Sequence, residues 1–379
     1  MSDKHKHMPF GDLAIISMRG CEDIAAKVEY YLKQWREDAD EDESYVIHAS
    51  CPRFGTGEAK GMIPHTARGL DVFIICDCFN HGVTYKMYGQ TVPMSPDDHF
   101  QDLKRIIAAM AGKPRRITVI MPMLYEGRQH RRTGRESMDC AMALQELTAM
   151  GVKNLITFDA HDPRVVNAIP LGGFDNIMPT YQMIKALVKA YPDIDINRDH
   201  TMMISPDEGA MSRCIYYSSI LGLELGMFYK RRDYSVIVNG KNPIVAHEFL
   251  GNDVSGKDVI IVDDMISSGE SMFDIAKQLK EKNANRIFIF STFGLFVEGF
   301  EKFDKYYSDG YIDKVFTTNL VYAEPELLEK PWYCQVNMAK YLAMIIDNLN
   351  HDNSISEFLD PADRINKLMD RHRAELAGK

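Results

Sequence analysis

Val259-Ile-Ile-Val-Asp-Asp-Met-Ile-Ser-Ser-Gly-Glu-Ser271 decides how this chain is read. Four consecutive Val/Ile residues make an apolar run of strand length, and beyond the loop Met272, Ile275, Ala276 and Leu279 recur at the spacing of one helical face. The unit is therefore strand, loop, helix, with the loop at the carboxyl end of the strand, where open α/β sheets bind ligands. Backbone N–H groups in a Gly-containing turn and at a helix N-terminus point at an anion, and Ser267, Ser268 and Ser271 can donate hydroxyl hydrogen bonds to phosphate oxygens. The carboxylates of Asp263 and Asp264 suit sugar hydroxyls or hydrated Mg²⁺. An Asp-Ser cap on an ordinary helix would use some of the same residues. The carboxylate pair directly after the four Val/Ile residues favours a site. No G-x-x-x-x-G-K-[ST] pattern occurs, which argues against a P-loop nucleotide site.

Outward from this stretch, further short apolar runs alternate with amphipathic segments. They are Leu13 to Ser17, Val72 to Cys76, Ile117 to Met121, Leu155 to Phe158, Met202 to Ile204 and Ile287 to Phe290. That is the pattern of a parallel sheet covered by helices. Ile24, Val28, Tyr31 and Leu32 form one helical stripe, and Leu103, Ile106, Ile107 and Met110 another. The chain also repeats itself: Gly69-Leu-Asp-Val-Phe-Ile-Ile-Cys-Asp77 can be laid on Gly256-Lys-Asp-Val-Ile-Ile-Val-Asp-Asp264, and the next strands begin at Arg116-Ile117 and Arg286-Ile287. Two related α/β domains follow, each a mainly parallel sheet flanked by helices. The expected divisions are 1–170, 171–330 and a C-terminal helical segment over 331–379. The first copy lacks the Ser-Ser-Gly-Glu-Ser loop and has a longer insert after its strand. Arg36 to Ser44 is acidic and reads as a solvated surface loop.

A chain of 379 residues with 45% hydrophobic and 26% charged residues can bury a full core. Its net charge of -10 argues against broad attraction to nucleic acid or anionic membrane, so a phosphate ligand must be held by local basic groups. The seven cysteines are scattered and lack C-x-x-C spacing, which suits neither a disulfide framework nor a zinc site and fits a reducing cytoplasm. Met1 to Phe10 has no signal-type apolar run, and no window approaches a membrane span.

Several ordered motifs accompany the loop: Phe54-Gly-Thr-Gly-Glu58, Gly127-Arg-Gln-His-Arg-Arg132, Asp159-Ala-His161, Ser205-Pro-Asp207 and Lys230-Arg-Arg232. The loop resembles the phosphoribosyl-diphosphate binding motif of type I phosphoribosyltransferases. Over roughly Leu13 to Asp360 the chain resembles the ribose-phosphate diphosphokinase family. The resemblance implies two tandem phosphoribosyltransferase-like domains, which agrees with the internal repeat. It further implies transfer of a diphosphoryl group from ATP to the 1-hydroxyl of ribose 5-phosphate, with Mg²⁺ as cofactor.

Residue by residue, the resemblance places His161 and Asp207 as ligands of the Mg²⁺ carried with ATP, and Arg128, Gln129 and His161 at the nucleotide. It places Phe54 and Glu58 at the adenine ring of a neighbouring subunit, in a homo-oligomer with active sites near subunit interfaces. Asp263, Asp264, Ser267, Ser268, Gly269, Glu270 and Ser271 would bind ribose 5-phosphate. Lys230 and Arg232, on a mobile loop continuing through Asp233 to His247, would neutralise charge on the transferring group. The residues alone leave plainer readings open. A single His after a strand is commonly structural, Gly55 and Gly57 explain a short turn, and the Arg128 to Arg135 and Lys230 clusters could be solvated. The chain departs from the family pattern at Thr56 and His130, where Asp is usual, at Ser267, where an acidic residue is usual, and at Glu270, where Gly is common. A non-catalytic regulatory homologue and a phosphoribosyltransferase stand as the alternatives.

Overall fold

The strand at Val259 to Val262 is buried on both faces, as its unbroken apolar run requires, and so are its neighbours. The computed structural model describes residues 8–36, 43–232 and 244–378, without the side chains of residues 230–232 and 244–247. Most of the acidic segment Arg36 to Ser44, the first seven residues, and the greater part of the Asp233 to His247 segment lie outside the described residues. The chain folds into two compact units. One comprises Met1–Pro179, Asn319–Tyr322 and Asn337–Asp360; the other comprises Thr180–Thr318, Ala323–Val336 and Pro361–Lys379.

The first unit begins with β1 (Asp12–Ser17), α1 (Glu22–Trp35), β2 (Val46–Ile47), β3 (Leu70–Ile75), β4 (Thr84–Met87) and β5 (Gln90–Pro93). It continues with α2 (Pro96–Ala109), β6 (Arg116–Ile120), α3 (Asp139–Ala149), β7 (Asn154–Phe158) and β8 (Gly173–Ile177). Its sheet has the order β2-β1-β3-β6-β7-β8, parallel throughout. The hairpin β4-β5 accounts for the longer insert after β3. Helix α2 starts where Ser95 accepts the Asp98 N–H at 3.1 Å and the Asp98 carboxylate accepts the Ser95 N–H at 3.0 Å, with Pro96 in the first position. Its stripe Leu103, Ile106, Ile107 and Met110 is buried in the core below the sheet.

The second unit runs through α4 (Thr180–Ala190), β9 (Thr201–Ser205), α5 (Met211–Leu221), β10 (Glu224–Arg232), β11 (Ile244–Leu250), β12 (Asp258–Ile266) and α6 (Glu270–Glu281). Then come β13 (Ile287–Gly294), α7 (Glu301–Ser308), β14 (Lys314–Thr318), α8 (Pro325–Leu328) and β15 (Tyr333–Val336). The order β10-β9-β12-β13-β14-β15 repeats that of the first sheet, and β11 is added antiparallel at the edge. Beyond β15, α9 (Ala339–Asn350) and α10 (Ser356–Leu359) fall in the first unit and α11 (Ala362–Ala377) in the second.

The internal repeat extends to matching side-chain bridges. Asp71 at the start of β3 takes hydrogen bonds of 2.8 and 2.7 Å from the Arg116 guanidinium, and Asp258 at the start of β12 takes bonds of 3.1 and 2.6 Å from Arg286. Both aspartates follow a glycine turn with positive φ, 79° at Gly69 and 74° at Gly256. In the first unit Asn350 from α9 joins the bridge, donating to Asp71 at 3.0 Å and accepting from the buried Arg36 at 2.9 Å. A buried carboxylate so bonded is compensated for its lost hydration, and the network explains why α9 belongs with the first sheet.

Three sequence expectations meet a different arrangement. Strand β8 extends the first sheet beyond residue 170. The segment 331–379 is not one helical block, since Tyr333–Val336 is the edge strand of the second sheet and the helices after it divide between the units. The segment expected as a loop up to His247 is already strand from Ile244, where Ile244-Val-Ala-His-Glu-Phe-Leu250 pairs with β10.

Candidate active site

In the second unit, β12 ends in the carboxylate pair. Asp264 is buried, and its N–H donates to Oδ1 of Asp263 at 2.9 Å, while its own Oδ1 accepts the Met265 N–H at 2.9 Å. Burial and the adjacent Asp264 charge push the Asp263 carboxyl well above the ordinary range, and Arg213 pulls it back. Arg213, on the first turn of α5, reaches both acids, with nitrogens 3.6 Å from Asp263 and 3.8 Å from Asp264. The sequence reading did not single out this arginine, because only the fold brings it beside residues fifty positions away.

The loop then turns at Gly269, where φ is 83° and a Cβ would stand 2.6 Å from the Phe303 ring. No other residue type fits without displacing that ring. Gly269 starts α6 without a side-chain cap, so the helix opens with backbone donors around Ser267, Ser268 and Ser271, an arrangement suited to an oxyanion. The Glu270 N–H approaches Ser268 Oγ at 3.4 Å. The exposed Glu270 carboxylate is ion-paired with Lys302, which turns its charge to an external partner. Asp207, after β9, accepts the N–H groups of Gly209 and Ala210 at 2.9 and 3.2 Å, which fixes the carboxylate ahead of α5. The backbones of Lys230 and Arg232 lie at the end of β10; their side chains are outside the described residues.

In the first unit, Arg128 is exposed and Gln129 half-buried, on a turn that follows β6. The Gln129 amide donates to the Ser137 carbonyl at 3.0 Å. Glu126 before them has φ 55°, and Asp159 before His161 has φ 39°. Left-handed non-glycine residues carry a conformational cost that sites commonly hold. Burial, together with Asp139 and Asp97, raises the Glu126 carboxyl, and Arg128 lowers it. His161 is exposed two residues beyond Asp159, after β7, with its ring 5.4 Å from that of His130. Next to it Asp162 is buried, and hydrogen bonds from Arg164 hold its carboxyl down at about 2. Phe54 is 57% exposed at a turn closed by hydrogen bonds from the Phe54 N–H to the Glu58 carbonyl and from the Gly57 N–H to the Phe54 carbonyl. Each unit thus carries part of the expected set.

Among the described residues no three His, Cys, Asp or Glu side chains gather to hold a metal ion, and no helix is long and apolar enough to cross a membrane. All seven cysteines are unbridged.

Comparison with known proteins adds the following. The family profile for the N-terminal domain of ribose phosphate pyrophosphokinase matches residues 13–151, and that for the phosphoribosyl synthetase-associated domain matches residues 234–360. The chain is 29% identical over 308 residues to a ribose-phosphate pyrophosphokinase of Shewanella oneidensis, covering 80% of this chain and 88% of that one. It is 24% identical over 357 residues to the enzyme of that name from Mycoplasma pneumoniae, covering 93% and 95%. It shares the fold of the crystal structure of phosphoribosylpyrophosphate synthetase from Mycobacterium smegmatis, with a TM-score of 0.73 and 20% identity over 90% of this chain and 100% of that one.

Proposed function

The chain belongs to the ribose-phosphate pyrophosphokinase family, and from that premise we propose that it transfers the diphosphoryl group of ATP to the 1-hydroxyl of ribose 5-phosphate. The hydroxyl oxygen attacks the β-phosphorus. The bond from that phosphorus to the oxygen bridging it to the α-phosphorus breaks, and AMP leaves with the bridging oxygen. The hydroxyl proton passes to solvent, and the products are 5-phosphoribosyl 1-diphosphate and AMP. The observation that carries the reading is the β12-α6 loop. It combines two carboxylates for sugar hydroxyls with an uncapped helix start and three serines for the 5-phosphate.

Asp263 and Asp264 orient the ribose, and Arg213 keeps the pair in place. The Glu270-Lys302 ion pair answers the repulsion that a carboxylate in a phosphate loop would otherwise exert, and so favours a competent site over a regulatory one. Lys230 and Arg232 supply positive charge to the transferring group, and Arg128 and Gln129 position the nucleotide. For the divalent cation we take Mg²⁺, and the family pattern assigns it the His161 imidazole of the first unit and the Asp207 carboxylate of the second, each a donor type that such an ion accepts. When bound with ATP, such an ion neutralises charge on the phosphates. The exposed Phe54 and Glu58 of one subunit complete the adenine site of the next, in a homo-oligomer of the cytoplasm. The test is AMP release from ATP and Mg²⁺ with and without ribose 5-phosphate. Ribose-dependent AMP supports the reading; AMP formation indifferent to the sugar phosphate contradicts it.

A further inference from the structure

His130 departs from the family pattern, and its surroundings differ from those of a solvated histidine. Its side chain is 14% exposed, and Nε2 faces Oδ2 of Asp162 at 3.4 Å. Asp162 is fixed in turn by its hydrogen bonds with the Arg164 guanidinium. A carboxylate on one ring nitrogen holds the proton there and leaves the other nitrogen as a lone-pair donor, the arrangement found behind metal-ligating histidines. That other nitrogen, Nδ1, is enclosed by protein and has no hydrogen-bond partner. A polar atom withdrawn from water without a partner is costly, so its retention asks for a ligand.

The second imidazole is close. The His130 and His161 centroids are 5.4 Å apart, with the planes inclined at 56°. Two imidazoles bound to one cation through bonds of about 2.1 Å place their centroids roughly 4.5–5.5 Å apart. We propose that His130 is a second imidazole ligand, beside His161, for the divalent cation that accompanies the nucleotide, and that it moves the cation preference from Mg²⁺ toward Co²⁺ and Ni²⁺. Imidazole is a borderline donor that suits the later first-row ions, whereas Mg²⁺ and Mn²⁺ favour oxygen ligands. Among the described residues no group of three His, Cys, Asp or Glu is placed to hold an ion, Asp162 being turned to the far ring nitrogen of His130, so phosphate oxygens and water complete the shell and the ion arrives with the nucleotide. The inference rests on the nucleotide reading of His161.

The full-length protein is loaded with Mn²⁺ and α,β-methylene ATP, and pulsed EPR counts the nitrogen couplings of directly bound imidazoles. Two are expected in the wild type and one in His130→Asp. Co²⁺ binding should weaken tenfold or more in His130→Asp, while Mg²⁺ binding changes less than threefold. In Asp162→Asn, Co²⁺ affinity should fall about 10- to 100-fold. Because the wild-type count needs no variant, the test survives a substitution that fails to fold. One coupling in the wild type, retained in His130→Asp and lost in His161→Ala, overturns the proposal and leaves the nucleotide reading intact. No nitrogen coupling in any protein overturns both.

Discussion

Asp263 carries a charge in surroundings that disfavour it: burial and Asp264 both raise its proton affinity, and Arg213 only partly compensates. A group whose pKa is raised on folding destabilises the fold at pH values above its folded pKa. Asp263→Asn should therefore raise the Tm of the ligand-free protein at high pH while lowering ribose 5-phosphate use. A fall in Tm would assign the carboxylate to the scaffold. Asp77, which the repeat lays on Asp264, is pushed up to about 6 by burial, although the N–H groups of Phe79 and Tyr322 draw it down. The folded protein holds that proton to higher pH than the unfolded chain, so this group's contribution is present at low pH and is lost as pH rises from about 4 to about 6. Carbon-13 NMR of the Asp77 carboxyl should give a midpoint near 6. A midpoint in the ordinary carboxylate range would show that the group is solvated.

The strands β10 and β11 pair antiparallel at the edge of the second sheet, and the backbones of Lys230 and Arg232 lie at the end of β10. Lys230→Ala and Arg232→Ala should melt like the wild type yet lose about 10²- to 10³-fold in kcat, the usual cost of one positioned charge. Turnover within threefold of wild type would make the cluster a solvated run. Element by element, the legible strands were those whose apolar runs are buried on both faces, such as β3, β12 and β13. Strand β8, Gly173-Phe-Asp-Asn-Ile177, is mostly half-exposed at an edge, and β15 is likewise an edge strand with polar Gln335, so neither has an apolar run to read. The site divides in the same way. Asp263 to Ser271 is contiguous and could be read from the chain. Arg213 and Lys302 act on it, and Asp162 on His130 in the first unit, through contacts that only folding creates.

At the scale of the molecule, one αβ pattern occurs twice, with the same strand order and the same Asp-Arg bridge, and only the second copy has the serine-glycine loop. The net charge of -10 leaves anion binding to local arginines, lysines and helix N–H groups. The proposed sharing of the adenine site between subunits predicts complementation: inactive Glu58→Ala and inactive Lys230→Ala subunits, mixed under exchange conditions, should recover part of the activity. No recovery despite verified exchange would place the adenine contacts within one subunit. The central claim, that the β- and γ-phosphoryl groups move together to the sugar, is tested most directly by following ATP labelled at the β-phosphorus in the presence of ribose 5-phosphate. The account predicts that the β-label appears in 5-phosphoribosyl 1-diphosphate in step with unlabelled AMP; β-label retained in ADP would contradict it.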